Sequence, residues 1–210
     1  MKTFGISLLI LAGTCFGQQW EFGGSAGASF LPTLPVSSPA GSASAGFQAG
    51  LAASAFAGQR YNAHISGEVR YTFMQSNLQL TSGGTTASFS GQAHAVYYDV
   101  LWHTRATGES RKRYFVAVGG GMKLFRGTGA EQAYQPLSQF AYFTKTQKVE
   151  PMADFGGGVD FALSPHMSLR AEFRDFLTPF PTALITPAPG VKIGSWLHDF
   201  VPMLSISYME

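Results

Sequence analysis

The sequence predicts an all-β fold, an eight-stranded antiparallel transmembrane β-barrel with the topology of an up-and-down meander. Three observations support this prediction. Apolar and polar residues alternate in segments of about 9 to 11 residues, the length of a tilted membrane-spanning strand. The connections between these segments alternate between long and short. Charged residues make up 12% of the chain, whereas soluble domains average about 25%.

Residues 1–17 are predicted to be a secretory signal peptide, and residues 18–210 are predicted to form the barrel domain. The apolar run from Phe4 to Ala12 follows a lysine and precedes small residues, as in a cleaved signal. A helix that spans a bilayer would need about 20 apolar residues. In a second interpretation Cys15 carries a lipid, but Thr14 is bulkier than the residue usual before such a cysteine.

Eight segments with a period of two follow one another along residues 18–210. They are Trp20 to Phe30, Ser42 to Ala55, Tyr61 to Phe73, Gln92 to His103, Tyr114 to Phe125, Glu150 to Leu163, Met167 to Phe176 and Phe200 to Tyr208. The alternation is weakest in the first and the last. An even number of strands places both ends of the barrel domain on the same side of the membrane.

The connections differ in length according to their position. Those after the first, third, fifth and seventh segments are long and rich in Gly, Pro, Ser and Thr: Leu31 to Gly41, Met74 to Gly91, Arg126 to Val149 and Leu177 to Asp199. The others are the short Phe56 to Arg60 and Ser164 to His166, and the polar Thr104 to Arg113. Long extracellular loops and short periplasmic turns are typical of bacterial outer-membrane barrels, so we expect that location.

The alternation also predicts which side chains meet lipid and which fill the interior. In the third segment Ile65, Val69, Tyr71 and Phe73 face outward, while His64, Glu68 and Arg70 face inward. Interfacial aromatic girdles are predicted from Trp20, Tyr71, Phe73, Trp102, Tyr114, Phe173 and Tyr208.

The fourth segment does not keep one parity. Gln92 and His94 suit a polar interior, whereas Val96 and Trp102, which have the same parity, suit lipid. A β-bulge near Ala95 would restore both faces, and we predict one there.

The predicted interior carries charged residues of both signs, which we interpret as an ion-pair network that fills the lumen. Its members are Glu68, Arg70, Asp99, Lys123, Asp154, Asp160, Arg170, Glu172 and Arg174. A proton or ion pathway is the alternative function of such residues. A soluble sandwich or lipocalin-like barrel would bury the same charges in its core, where a bare charge costs several kcal/mol.

Three stretches resemble the OmpA/OmpX-like small outer-membrane β-barrel family of Gram-negative bacteria. They are Tyr114 to Gly129, Asp154 to Phe176 and the closing strand Phe200 to Tyr208. The resemblance implies an integral outer-membrane barrel that the barrel-insertion machinery assembles. Family members tend to end on an aromatic residue, whereas this chain continues beyond Tyr208 to Met209 and Glu210. We therefore expect no appended peptidoglycan-binding domain of the kind that some family members carry.

One short motif raises the question of catalysis. Outer-membrane lipid A deacylases, which are similar in fold, use an H-x-S pair, and His64-Ile65-Ser66 matches that spacing. The predicted position is periplasmic and inward, away from the outer-leaflet acyl chains, and His166-Met167-Ser168 shows the same spacing at a turn. We therefore predict no catalytic residues. No spacing indicates a metal or cofactor site, and none is expected.

The sequence favours a non-enzymatic outer-membrane barrel with a plugged lumen, which supports the envelope or presents surface loops. The alternatives are an enzyme that resembles lipid A deacylases and a loop-mediated ligand-binding or adhesion protein. Outer-membrane lipid, the insertion machinery and an unidentified surface ligand are the expected partners. The formal net charge is +2 and the basic run Arg111 to Arg113 stands alone, so no nucleic acid is expected.

Overall fold

Eight strands close into an antiparallel barrel. The computed structural model describes residues 19–38, 41–104 and 111–210; the predicted signal peptide, 1–17, lies outside them. The barrel strands are β1 (Gln19–Ser29), β4 (Gly50–Arg60), β5 (Ile65–Gln75), β8 (Gly91–His103), β9 (Lys112–Gly127), β11 (Gln147–Ala162), β12 (Met167–Pro179) and β15 (Trp196–Met209). Each pairs with the next barrel strand along the chain, and β15 pairs with β1. The predicted fold class is confirmed.

The long connections form a second structure, which we call the loop module. It comprises a five-stranded sheet and a two-stranded sheet. The larger sheet contains β2 (Leu34–Ser38), β3 (Gly41–Phe47), β6 (Leu78–Ser82), β7 (Thr85–Phe89) and β14 (Lys192–Ile193), and the smaller contains β10 (Ala141–Phe143) and β13 (Ile185–Pro187). Apart from β3, which overlaps the predicted second segment, none of these strands was predicted, because those stretches resemble loops in composition. The described residues contain no helix long and apolar enough to span a bilayer.

The predicted second strand, Ser42 to Ala55, is wrong. Its first part is β3 of the loop module, and the barrel strand β4 begins only at Gly50. The predicted turn, Phe56 to Arg60, is consequently the last part of β4. Small residues dominate this region, so its alternation carries little contrast between the two faces and does not locate the break between two strands of different sheets.

The predicted bulge near Ala95 is also absent. The pairing of β8 with β5 and with β9 runs without interruption from Gln92 to Trp102. Gln92 and His94 therefore point outward with Val96. Polar side chains can face outward here because Gln92 and His94 lie at the long-loop end of the barrel, where the outer wall meets the polar boundary of the bilayer. His94 Nδ1 lies 2.7 Å from the hydroxyl oxygen of Tyr71, which supplies the imidazole with a polar partner there.

The outward face has the dimensions of a membrane-spanning wall. On β9 the outward residues from Tyr114 to Leu124 are uncharged, and Lys112 and Arg126 lie beyond them at the two ends. At about 3.4 Å per residue and a tilt of about 40°, this stretch is about 25 Å high, the thickness of the apolar band of outer-membrane barrels. At the long-loop end, a row of outward polar residues runs across four neighbouring strands in register: Gln75, Gln92, Arg126 and Gln147. The row marks one boundary of the hydrocarbon.

The hydrophobic core is continuous between the loop module and the upper half of the barrel interior. Phe47 of β3 stacks on Phe125 of β9 at a ring distance of 5.4 Å, and it also contacts Phe180 at 6.3 Å. Phe89 of β7 stacks on Phe143 of β10 at 5.9 Å. The loop module therefore caps the lumen with apolar side chains.

An arginine at position 69 should impair insertion. Val69 is 54% exposed on the outer wall. It pairs with Tyr98, which pairs with Gly120, so Val69 lies at the height of Gly120, near the middle of the apolar band. Val69→Arg should cost about 2 to 4 kcal/mol in lipid vesicles, because the charge meets hydrocarbon. The control is Thr72→Ser on the buried inner face, which retains the hydroxyl. Equal folding yields for Val69→Arg and the unmodified protein in vesicles would contradict this orientation.

Candidate functional site

Nine charged residues predicted to face the lumen all point inward, and each is between 0 and 5% exposed. At the centre of the group are two arginines, Arg70 and Arg174. Arg70 donates to Glu172 Oε1 and to Glu68 Oε1, both at 2.6 Å. Arg174 donates to Glu172 Oε2 at 3.0 Å and to Glu68 Oε1 at 3.2 Å. Each glutamate therefore bridges the same two arginines, and the four side chains form a closed ring of ion pairs.

Arg174 also holds two aspartates that lie on different strands. Its Nη1 atom is 2.9 Å from Asp99 Oδ2 and 2.7 Å from Asp154 Oδ2. The other oxygen of each carboxyl, Oδ1, is buried and has no hydrogen-bond partner among the described residues. Arg174 is thus the cation on which the two aspartates depend.

Glycines make room for these side chains. A Cβ atom at Gly119 would lie 2.0 Å from Asp99 Oδ1, and one at Gly156 would lie 2.4 Å from Arg174 Cδ. Each belongs to a run of three glycines inside a strand, Gly119 to Gly121 in β9 and Gly156 to Gly158 in β11. Their contribution to the site is therefore the space that a missing side chain leaves.

Arg170 connects the central ring to the short-turn end of the barrel. Its guanidinium lies 2.8 Å from Glu68 Oε2, 2.8 Å from Asp160 Oδ1 and 3.3 Å from Glu21 Oε1. Asp160 in turn accepts from Arg113 at 3.1 Å. A chain of ion pairs therefore runs from the middle of the lumen to its mouth.

Lys123 belongs to a separate pair above the ring. Its Nζ atom lies 2.5 Å from Asp199 Oδ2, and the hydroxyl of Ser29 donates to Asp199 Oδ1 at 2.6 Å. Asp199 was not among the predicted lumen residues because the prediction placed it in a loop, whereas β15 begins before it at Trp196. Val201 and Met203 face inward, and in a strand the residue two positions before Val201 faces the same way. This alternation would have identified Asp199.

Aromatic rings separate the charged layers. The guanidinium of Arg70 lies 4.5 Å from the ring centre of Phe56, and that of Arg170 lies 5.1 Å from the same ring. Lys123 lies 4.9 Å from the ring of Phe125. Cations over ring faces are attracted by the ring quadrupole, and the attraction grows when water is excluded. The aromatic side chains therefore stabilise the cations and also fill the space between them.

The H-x-S motif, which was predicted not to be catalytic, does not form a hydrogen-bonded His64–Ser66 pair among the described contacts. His64 lies in the turn before β5, and its Nδ1 atom is 3.0 Å from the carbonyl oxygen of His103. The hydroxyl of Ser66 instead lies 2.9 Å from Nε2 of His103. The Nδ1 atom of His103 is 3.6 Å from Asp160 Oδ2, which is too far for a hydrogen bond. His103 is the polar residue near Ser66 that the sequence analysis did not associate with it.

Residues 19–38, 41–104 and 111–210 contain no group of three or more His, Cys, Asp or Glu side chains that could hold a metal ion.

Comparisons with known proteins agree on the fold. No family model and no curated protein matches the sequence. The crystal structure of neisserial surface protein A (NspA) is similar with a TM-score of 0.55 and 14% identity, covering 92% of this chain and 99% of that one. The outer-membrane protein OprG from Pseudomonas aeruginosa is similar with a TM-score of 0.58 and 10% identity, covering 92% and 96%. The chain has the fold of the small eight-stranded outer-membrane β-barrels, as its resemblance to the OmpA/OmpX-like family implies.

Proposed function

We propose that the protein is a non-enzymatic component of the outer membrane whose lumen is closed by its own side chains and whose loop module is presented at the cell surface. The observation that carries the proposal is the burial of the lumen cations. Arg70, Lys123, Arg170 and Arg174 are each 0 or 1% exposed. A water-filled path along the lumen would expose such long side chains, so their burial favours a plug over a channel.

The apolar cap of the loop module supports the same proposal. A pore that admits polar solutes would require a polar mouth at the cell surface, whereas here the core of the barrel continues into the core of the module. The long loops are thereby ordered into a folded surface structure. The outward wall takes outer-membrane lipid as its partner, the insertion machinery assembles the barrel, and a surface ligand would meet the module.

Thiol labelling tests the orientation on which this function depends. Tyr134, in the connection between β9 and β10, is 78% exposed, and Ser164 lies in the turn between β11 and β12. In intact cells, a membrane-impermeant maleimide should label Tyr134→Cys. It should label Ser164→Cys only after the outer membrane is permeabilised. The reverse pattern would place the module in the periplasm and overturn the proposal.

Hydrolysis is the second candidate function, and the hydrogen bond between Ser66 and His103 favours it. Three features place it second. Ser66 is 9% and His103 2% exposed, the imidazole is not oriented by a hydrogen bond to Asp160, and Asp160 is already paired with two arginines. Labelling of the folded protein, but not of Ser66→Ala, by a fluorophosphonate probe would reverse this order.

A further inference from the structure

The periplasmic mouth of the lumen contains a cavity of about 220 Å³, and three arginines are among the residues that line it. The basic run at the start of β9, Arg111 to Arg113, forms one side of it, and Arg60 at the end of β4 reaches it from another part of the barrel wall. Strands β4 and β9 are separated by β5 and β8 in the barrel. Closure of the barrel thus brings together cations that are far apart in the sequence.

Among the described residues that line this cavity, arginines outnumber carboxylates. Asp160 also lines the cavity, but it is shared between Arg113 at 3.1 Å and Arg170 at 2.8 Å. Neither Arg60 nor Arg111 forms an ion pair within the described part of the chain; Arg60 donates to the side-chain oxygen of Gln19 at 3.0 Å. The described arginines of the lining therefore carry an excess of positive charge, which suits an anion.

The number of donors suits a phosphate group. Three arginines line one space, and a phosphate presents more oxygens to their guanidinium groups than a carboxylate does. The hydroxyls of Ser164 and Ser168 line the same cavity and can serve as further donors. Its volume is below the roughly 300 Å³ of the smallest pockets for drug-sized ligands, which restricts the ligand to one small group.

The position of the cavity relative to the bilayer indicates two molecules that could supply a phosphate group. Lys112 lies just outside the apolar band, with its Nζ atom 5.7 Å from the ring centre of Phe161. The cavity is therefore level with the headgroups of the periplasmic leaflet and also opens toward periplasmic water. A phospholipid headgroup and a soluble phosphate both present the required chemistry.

We propose that the periplasmic mouth of the barrel is a phosphate-binding site formed by Arg60, Arg111 and Arg113. This site goes beyond the structural role proposed above. The plug does not depend on it, because Arg60 and Arg111 take no part in the lumen ion pairs.

The test uses the full-length protein. Inorganic phosphate is titrated by calorimetry into the protein in a maltoside detergent that contains no phosphate, and native mass spectrometry measures the retention of phosphatidylglycerol against diacylglycerol, a lipid without phosphate. The double variant Arg60→Gln with Arg111→Gln should weaken the binding that is observed by about tenfold or more, because two charge-assisted donors are lost. Arg126→Gln, at the opposite end of the outer wall, is the matched control and should leave binding unchanged.

The outcomes separate the sources and the alternatives. Binding of inorganic phosphate supports a soluble ligand, and selective retention of phosphatidylglycerol alone supports a headgroup. Binding of neither by the unmodified protein overturns the proposal, as does binding that the double variant retains. Binding of an acidic peptide in the absence of phosphate binding also overturns it. The unmodified protein alone refutes the proposal if it binds neither ligand. The test therefore remains decisive even if the double variant does not fold.

Discussion

Replacing Arg174 with methionine is expected to lower the free energy of unfolding by about 3 to 5 kcal/mol, because the change leaves buried carboxylates without their cation. Methionine retains much of the volume, so the loss is electrostatic. Asp99 and Asp154 would lose the guanidinium that lies 2.9 and 2.7 Å from them. Glu68 and Glu172 would retain Arg70. The damage should therefore concentrate on the two aspartates.

Urea unfolding in lipid vesicles measures this effect. The matched control is Lys148→Met, which removes a half-exposed cation 4.0 Å from Glu150 and should cost less than about 1 kcal/mol. Adding Asp99→Asn to Arg174→Met should recover part of the loss, because an amide carries no charge. A loss for Arg174→Met as small as that of Lys148→Met would show that the network contributes little.

Replacing Phe47 with alanine should destabilise the loop module by about 3 to 5 kcal/mol, the usual cost of removing a buried phenylalanine. Phe47 is 2% exposed and lies between the ring of Phe125 in the barrel and that of Phe180. The barrel strands, which are held by their own closed pairing, should remain folded.

Hydrogen exchange resolves this difference by region. In Phe47→Ala, amides of β3 and β6 should exchange faster, while those of β9 and β11 should keep their protection. Tyr134→Ala, which removes a highly exposed ring of the same module, is the control and should leave all four strands unchanged. Faster exchange in β9 and β11 together with β3 would mean that module and barrel unfold as one unit.

The barrel could be predicted from the sequence because lipid imposes a strict rule on one face of each strand. Arg70 and Val69 are neighbours in the chain, yet one is fully buried and the other is 54% exposed. Strand β12 repeats this pattern with Arg170 and Leu169. Where such contrast exists, parity alone assigns the faces.

The loop module could not be predicted because alternation with a period of two occurs in any half-buried sheet and does not identify the sheet to which a strand belongs. The small residues of Ser42 to Phe47 alternate in the same way as those that begin β4, but this stretch belongs to the loop module. Parity also contains no information on height, which is why Gln92 and His94 were assigned to the lumen. In the site, sequence spacing paired Ser66 with His64, whereas the partner, His103, comes from the neighbouring strand β8.

Single-channel recording in planar bilayers tests the closed lumen most directly. The unmodified protein should give no sustained current at any polarity, because the buried ion pairs and the apolar cap leave no continuous path for hydrated ions. Arg170→Ala should be less stable than the unmodified protein and should likewise form no defined channel. Reproducible openings of the unmodified protein, with an ion selectivity that Arg170→Ala alters, would contradict the plug and identify the lumen charges as pathway residues.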